Sequence, residues 1–241
     1  MISQPASTEL RSGMNINELK QAISSLDKLL EDNILHCSIN ETLTNRANFF
    51  DQLLSLLWQQ HQFDVDTISL NAVGGYGRQT LHPFSDIDIC IIHDAPLNQQ
   101  DSAKVSAFLT QLWDLNLDLG HGVRSLQDTY QSCRDDVTIA TSLLEIRHII
   151  GKEDHANKVL KALYSDELWR SDTFFEAKLA EQQQRHAKAQ GTAYSIEPNL
   201  KTSPGGMRDL QTLTWVARKH FGVADMLTLR RRGFFTNDEY A

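Results

Sequence analysis

Two short apolar segments joined by a glycine-rich stretch constrain the fold most. Residues 68–72 alternate apolar and polar side chains, which is the period of a β-strand. The glycines within residues 73–78 follow at once and predict a tight loop after this strand. Residues 86–93 then form a second, more apolar run that contains four isoleucines. The sequence therefore predicts a strand, a glycine loop and a second strand in series.

Helical patterns lie on both sides of this segment. Residues 15–32 and 41–60 each place apolar side chains along one stripe, as two amphipathic scaffold helices would. Residues 102–112 predict another helix, and residues 115–123 a third strand, because leucines alternate there with polar residues. From Asp136 onward the pattern is helical, with apolar residues on one face up to Ile149 and further helices predicted at residues 155–164, 172–189 and 207–220.

These elements predict a small α/β unit followed by a helical region. We place N-terminal helices in residues 1–65, the α/β core in residues 66–150 and a helical domain in residues 151–241. At 241 residues with 41% hydrophobic and 22% charged residues, the chain can bury a core without disulfide or metal staples. This composition excludes disordered and collagen-like chains.

Charge and cysteine content exclude further classes. A net charge of −8 and a pI near 5.5 argue against a protein that coats nucleic acid, although a local basic pocket remains compatible with them. The three cysteines, Cys37, Cys90 and Cys133, are far apart and form no CxxC pair, so neither a disulfide framework nor a zinc site is indicated. No apolar run reaches the roughly 18 residues of a membrane span, and residues 1–13 lack the pattern of a signal peptide. We expect a cytoplasmic protein that does not enter a membrane.

Asp86 and Asp88 are the first candidates for chemistry. Alternate side chains of a strand share a face, so the two carboxylates project together and offer the hard oxygen ligands that Mg²⁺ prefers. Gly74 and Gly75 let the backbone approach a phosphate closely. Each half is weak alone, because a Gly-Gly pair is usually only a turn and an Asp-x-Asp run is usually an exposed strand face. In this order the two halves favour metal-dependent nucleotidyl transfer.

A third carboxylate is expected on a neighbouring strand. Asp118 lies between two leucines in the predicted third strand, where it could face the same metal ions. The alternative is a polar residue that faces solvent on an alternating strand. Asp114 and Asp136 compete with it for the same role.

Longer motifs carry a resemblance to a known family. Residues 74–78 and 81–88 resemble the nucleotidyltransferase signature of the DNA polymerase β superfamily, and specifically that of the bacterial P-II uridylyltransferases, which are bifunctional uridylyltransferase/uridylyl-removing enzymes. The resemblance covers about residues 15–235 and continues through five further segments: Gly120–Arg124, Ala140–Glu145, Glu197–Lys201, Pro204–Gln211 and Trp215–Arg218.

The resemblance implies an α+β fold, in which a small mixed sheet with helices is followed by a helical region. It implies that Asp86 and Asp88 bind catalytic Mg²⁺ or Mn²⁺, and Asp118 is our candidate for the third ligand. Gly74 and Gly75 would hold the nucleoside triphosphate, with Arg78 and Ser85 placed for phosphate contacts; one loop position, Thr80, departs from the glutamate usual in the family.

The implied reaction moves UMP from UTP to a tyrosine hydroxyl of the P-II signalling protein. The family's chains are longer, with a metal-dependent phosphohydrolase domain and glutamine-sensing domains, so we expect this sequence to be an N-terminal piece that lacks both. The dipeptide His93-Asp94 has no further ligands around it in sequence and is interpreted as chance. The alternatives are a transferase of the same superfamily with another acceptor, and a nucleotide-binding module without catalysis.

Some polar residues allow a purely structural interpretation. Lys201 and Arg208 flank the turn of residues 203–206 that opens a predicted helix, and this turn either caps the helix or lines a nucleotide pocket. Four histidines lack metal-ligand spacing and are interpreted as surface or capping residues: His82, His121, His148 and His186.

Overall fold

The structure, a computed structural model, describes residues 9–33, 36–188, 199–222, 226–234 and 236–240. The chain divides into two compact units. The first comprises Met1–Thr129 and Glu145–Asn157, and the second comprises Tyr130–Leu144 and Lys158–Ala241. The three-part division at residues 65 and 150 stays a prediction.

A four-stranded mixed sheet forms the centre of the first unit. Its strands are β1 (Ile68–Ala72), β2 (Ile87–His93), β3 (Leu119–Ser125) and β4 (Arg147–Gly151), in the spatial order β3-β2-β1-β4. Strand β1 is antiparallel to both β2 and β4, whereas β2 and β3 are parallel. The small mixed sheet with its helices confirms the predicted α+β fold class.

Helices cover one face of this sheet. The helices that lie wholly within the first unit are α1 (Ile16–Asn33), α2 (Ile39–Gln60), α3 (Gly74–Gly77) and α4 (Gln99–Asp114). Side chains of α1, α2 and α4 pack with the β1 and β2 residues of one parity into a single apolar core, which includes Leu19, Phe50, Leu70, Ile89 and Phe108. Trp58 stacks on Phe63 with ring centroids 3.8 Å apart. The predicted scaffold role of the first two helices is confirmed.

The third strand begins later than predicted. Leu115 is the buried C-cap of α4, and Asn116 takes the left-handed conformation that commonly ends a helix, with φ of 60°. The alternation that predicted a strand from residue 115 therefore combines a helix end with a turn. The strand proper starts at Leu119, so Asp118 lies one residue before it.

The helix predicted from Asp136 to Ile149 is also wrong beyond its first part. Helix α6 (Val137–Leu143) ends early, and Ile149 and Ile150 lie in β4, which pairs with β1. The sequence showed apolar residues at helical spacing, whereas the pairing that makes β4 a strand joins residues about 80 positions apart. Helix α5 (Leu126–Asp135) and helix α3, which replaces the predicted loop, were not predicted as helices.

The remaining helices are α7 (Asp154–Tyr164), α8 (Ser171–Lys188), α9 (Met207–Phe221), α10 (Met226–Arg231) and α11 (Asn237–Tyr240). Within the second unit α8 packs on α9 and α6, and Phe174 and Trp215 are buried. The predicted helix end at Ala189 and the motif residue Glu197 lie outside the described residues. Across the described part of the chain, no helix has the length and apolarity needed to cross a membrane.

Candidate active site

The glycine helix and the acidic residues meet at one edge of the sheet. The backbone N–H of Val73, the residue before α3, donates to the carbonyl oxygen of Asp88 at 3.0 Å. The N–H of Ile87 donates to the carbonyl oxygen of Asp118 at 2.8 Å, which ties the start of β2 to the approach of β3. These two bonds bring the glycines, Asp86, Asp88 and Asp118 to the same end of the sheet.

The strand register defines the face on which the site lies. Asp88 pairs with Gly120 within the sheet, whereas Asp86 and Asp118 lie one residue before β2 and β3 respectively. Because side chains alternate along a strand, Asp88 lies on the sheet face opposite to the apolar core. A Cβ atom at Gly120 would overlap the Asp88 carboxylate, so this glycine leaves the room in which the carboxylate lies.

Arg124 lies on the sheet face of Asp88 and was not predicted as a candidate site residue. It pairs with Ile92 and therefore shares the sheet face of Asp88. A Cβ atom at Gly122 would overlap the Arg124 guanidinium, so the arginine folds back along its own strand over that glycine. Burial raises the pKa of the Cys90 thiol to about 11, while its hydrogen bond with Arg124 acts in the opposite direction. The sequence did contain one signal for Arg124: it follows Gly120 and Gly122 at intervals of two residues, which places all three on one face of a strand.

The glycines of α3 differ in backbone conformation and in the space around them. Gly74 has φ of 57°, a left-handed conformation that disfavours other residues. A Cβ atom at Gly77 would collide with the backbone oxygen of Glu145, so this position is closed by packing. At Gly75 the nearest atoms to an added Cβ are the Thr80 oxygen at 3.7 Å and Arg78 Nη2 at 3.8 Å, which is ordinary contact. A Cβ atom therefore fits at Gly75 without a collision.

Two ion pairs hold α3 in place, one with a buried carboxylate and one half-buried. Arg78 Nη1 bonds to Glu145 Oε2, and the Glu145 side chain is only 1% exposed. Arg147 donates to both carboxylate oxygens of Asp51, which also accepts the hydroxyl of Tyr76 at 2.6 Å. Burial raises the pKa of Tyr76 well above its usual value, and the charge of Asp51 adds to this effect. The predicted phosphate contact of Arg78 stays a prediction.

The carboxylates differ in exposure and in partners. Ser85, Asp86 and Asp118 are exposed, whereas Asp88 is half-buried. Asp136, a competitor for the third ligand, instead accepts from the N–H of Thr138 and caps α6, and Asp114 is the last residue of α4. Within the residues that the structure describes, no three or more His, Cys, Asp or Glu side chains are grouped to hold a metal ion. Asp86, Asp88 and Asp118 therefore share an edge without forming a closed ligand cluster.

Comparison with known proteins finds a family match for an earlier and for a later part of the chain. A model described as "Nucleotidyltransferase domain" matches residues 54–143, which include the glycines and all three candidate carboxylates, and one described as "GlnD PII-uridylyltransferase" matches residues 173–241. The bifunctional uridylyltransferase/uridylyl-removing enzyme of Vibrio parahaemolyticus is 45% identical over 94% of this chain and 26% of its own length, and that of Aliivibrio fischeri is 42% identical over the same shares.

The chain belongs to the P-II uridylyltransferase family. It spans about a quarter of the length of the curated relatives that it matches, 26% of each of the first relatives. The sheet edge with Asp86 and Asp88 lies inside the matched nucleotidyltransferase domain, and α9 lies inside the matched P-II uridylyltransferase segment.

The turn that precedes α9 in this chain is closed by its own hydrogen bonds and caps the helix. The N–H groups of Met207 and Arg208 donate to the carbonyl oxygens of Leu200 and Lys201, and the N–H of Gly205 donates to the Asp209 carboxylate at 2.8 Å. These amide groups are therefore used within the turn itself. The geometry favours the capping alternative over an anion site, and the Arg208 guanidinium lies over the Trp215 ring.

The histidines and the His93-Asp94 dipeptide also have structural partners. His186 bonds to Asp209 at 2.9 Å, and His148 bonds to the carbonyl oxygen of Gly151. Asp94, interpreted from sequence as part of a chance pair, accepts from Lys152 at 2.6 Å and bonds to the buried His155 at 3.0 Å. His155 bonds in turn to Ser69 of β1, so Asp94 helps to anchor α7 to the sheet.

Proposed function

We propose that this chain is the catalytic part of a metal-dependent transferase that moves UMP from UTP to a tyrosine hydroxyl of a P-II protein. One observation carries the proposal: Asp88 and the start of the glycine helix are joined directly, through the bond from Val73 N–H to the Asp88 carbonyl oxygen. A phosphate-binding turn and an acid pair at one sheet edge are the two parts that nucleotidyl transfer needs. The names of the relatives supply the nucleotide and acceptor class.

The residues present fit a magnesium ion that is completed by substrate. Proteins commonly hold Mg²⁺ by one or two carboxylates together with substrate phosphates, and Asp86 and Asp88 would supply two carboxylates from the start of β2 and the residue before it. Asp118 would be the third carboxylate, from the residue that precedes β3. Mg²⁺ or Mn²⁺ bound there would neutralise triphosphate charge and lower the pKa of the attacking hydroxyl.

The chain's own residues would bind and orient the nucleotide. The backbone at Gly74 and Gly75 would bind the triphosphate, at a point where an added Cβ atom on Gly75 meets only ordinary contacts. Arg124, on the face of Asp88, would place positive charge beside the phosphates, and Arg78 and Ser85 would add contacts from the loop that leads to Asp86. Asp86 and Asp88 would hold the reacting groups in line by way of the ion they bind.

Labelled UTP, Mg²⁺ and purified P-II protein test the proposal directly. The chain should transfer label to P-II, should transfer little from labelled ATP, and should lose transfer in the Asp88→Asn variant. UTP binding without transfer to any acceptor would support the non-catalytic module instead. Transfer to another hydroxyl acceptor but not to P-II would support a different member of the superfamily.

A further inference from the structure

Phe84 is the most exposed large apolar residue among those that the structure describes. Its exposure is 92%, whereas the next, Leu200, is 84% exposed. An exposed phenyl ring contributes nothing to the core and leaves apolar surface in water. Phe84 lies two positions before Asp86, in the segment that connects the glycine helix to the acidic strand. Its location next to the candidate active site, more than its exposure, indicates a role in function.

The backbone at Phe84 is also unfavourable for a phenylalanine. Ser85 donates its N–H to the carbonyl oxygen of His82 at 3.1 Å, which closes a turn with Pro83 and Phe84 at its centre. Phe84 has φ of 61°, and proline holds the preceding φ negative, so the turn is of type II. The second central position of such a turn prefers glycine. A large aromatic residue there combines backbone strain with exposed apolar surface, and neither supports the fold.

The ends of this segment are fixed, so the turn that carries the ring is held in place. Thr80 donates its N–H to the carbonyl oxygen of Gly75 at 3.0 Å, and the Leu81 side chain is 1% exposed. At the other end Ile87 is buried in the sheet. The turn therefore presents Phe84 from a short, anchored segment beside the Asp86 and Asp88 carboxylates.

We propose that Phe84 is a contact for the acceptor protein, inserting its ring into an apolar surface next to the hydroxyl that is modified. Small-molecule sites are concave and bury most of the ligand, so a nucleobase would need walls around the ring, and a 92% exposed side chain stands clear of them. A protruding aromatic side chain is instead typical of residues that dominate protein interfaces. This inference rests on the proposed function, because it assumes that the acceptor is a protein.

Steady-state kinetics of the chain and its Phe84→Ala variant test the proposal. With UTP saturating and P-II varied, we expect the KM for P-II to rise by about tenfold or more, in keeping with the loss of an interface anchor. With P-II saturating and UTP varied, the KM for UTP should stay within about twofold, because the ring lies outside the concave pocket that a nucleotide needs. Phe84→Leu, which keeps an apolar side chain, should fall between the wild type and Phe84→Ala.

Two controls separate contact from folding. Phe175, on α8, is 50% exposed, and Phe175→Ala should leave both KM values unchanged. Phe84→Gly removes the ring and relieves the left-handed strain, so it should unfold at the same temperature as the wild type or higher while showing the same rise in KM for P-II.

The outcomes distinguish the inference from the function on which it rests. If the wild type transfers UMP to P-II and Phe84→Ala has an unchanged KM for P-II, the inference is wrong and the function stands. A rise confined to the KM for UTP would overturn it in favour of a base contact. If the wild type binds UTP and transfers nothing to P-II, both are wrong.

Discussion

The Asp88 carboxylate lies where a Cβ atom at Gly120 would be, on the neighbouring parallel strand. One further step along β3, the Arg124 guanidinium lies where a Cβ atom at Gly122 would be. Alternate Cβ positions of a strand are about 6.5–7 Å apart, so an acidic and a basic group occupy successive positions of one sheet face. The two glycines thus provide the room in which the candidate site is built.

Substituting Gly120 by alanine should displace the Asp88 carboxylate without disturbing the core on the other sheet face. We expect Gly120→Ala to lower kcat for UMP transfer by about 10- to 100-fold, since small displacements of catalytic groups have effects of this size. Its thermal unfolding should stay close to that of the wild type. Near wild-type turnover would mean that Asp88 does not act from the position seen in the structure.

Asp86→Asn and Asp88→Asn should each abolish transfer while leaving the fold intact. Each change removes a negative charge from the proposed metal site but conserves side-chain volume, and a lost metal clamp costs several kcal/mol of transition-state stabilisation. Turnover at saturating Mg²⁺ should fall by about 10³-fold or more, the factor that about 4 kcal/mol represents. Circular dichroism should be unchanged. A variant with near wild-type turnover would remove that aspartate from the metal site.

Gly75→Ala and Gly77→Ala form a matched pair on the same short helix. An added Cβ meets only ordinary contacts at Gly75 but collides with the Glu145 backbone oxygen at Gly77. Gly75→Ala should therefore fold normally and weaken UTP binding by about tenfold, because it fills space expected to hold phosphate. Gly77→Ala should instead lower the free energy of unfolding. Calorimetric titration with UTP and urea unfolding measure the two effects, and unchanged UTP affinity in Gly75→Ala would leave α3 a structural turn only.

Arg124→Met should raise the KM for UTP by about tenfold, since charge-assisted hydrogen bonds to phosphate are among the stronger polar contacts. Arg124→Lys should recover part of the loss, because lysine keeps the charge but not the planar fork. Arg170→Met is the control, as Arg170 is an exposed arginine that pairs with Asp172. An unchanged KM for UTP in Arg124→Met would restrict Arg124 to its contact with Cys90.

Sequence patterns were sufficient for the elements whose signals are local. The alternation at residues 68–72 and the isoleucine run of residues 86–93 predicted β1 and β2 almost to the residue. Strand β4 could not be predicted, because its stability comes from pairing with β1 across about 80 residues of chain. Apolar residues at helical spacing continue from Val137 and Ala140 to Ile149, so the sequence predicted a helix where β4 lies.

The candidate site residues also separate into those with a local signal in the sequence and those whose position depends on residues distant in sequence. Asp86 and Asp88 were identified because their spacing on a strand is a local signal. Arg124 was missed, since its place beside Asp88 depends on the parallel register of β2 and β3. The structural role of Asp94 was not predicted for the same reason: its partners Lys152 and His155 are about 60 residues away in sequence.

Asp209 predicts a pH-dependent contribution to the stability of the second unit. Burial pushes its pKa up, but hydrogen bonds from Gln182, Arg185, His186 and the Gly205 amide hold the pKa of Asp209 well below the ordinary value of 3.8. The folded state thus binds this proton less readily than the unfolded chain does. The stabilisation is complete above pH 3.8 and is lost as the pH falls from there toward the lower folded pKa.

The Asp209→Asn variant measures this contribution. At pH 7 it should unfold with a free energy lower by about 2 kcal/mol, the cost of losing charge-assisted hydrogen bonds at a mostly buried carboxylate. Urea titrations at pH 7 and pH 3 should show the difference between variant and wild type shrinking at the lower pH. A difference that is equal at both pH values would mean that the charge of Asp209 plays no part.

The first unit is discontinuous in sequence, and this matters during synthesis. Strand β1 has all five residues buried and lies between β2 and β4, so until Arg147–Gly151 leave the ribosome one of its edges has no partner. An unpaired apolar edge is a template for aggregation. A nascent chain released before residue 151 would carry the glycine helix and both aspartates, yet expose this edge. Every residue proposed for phosphate and metal binding is thus made before the segment that pairs with the free edge of β1.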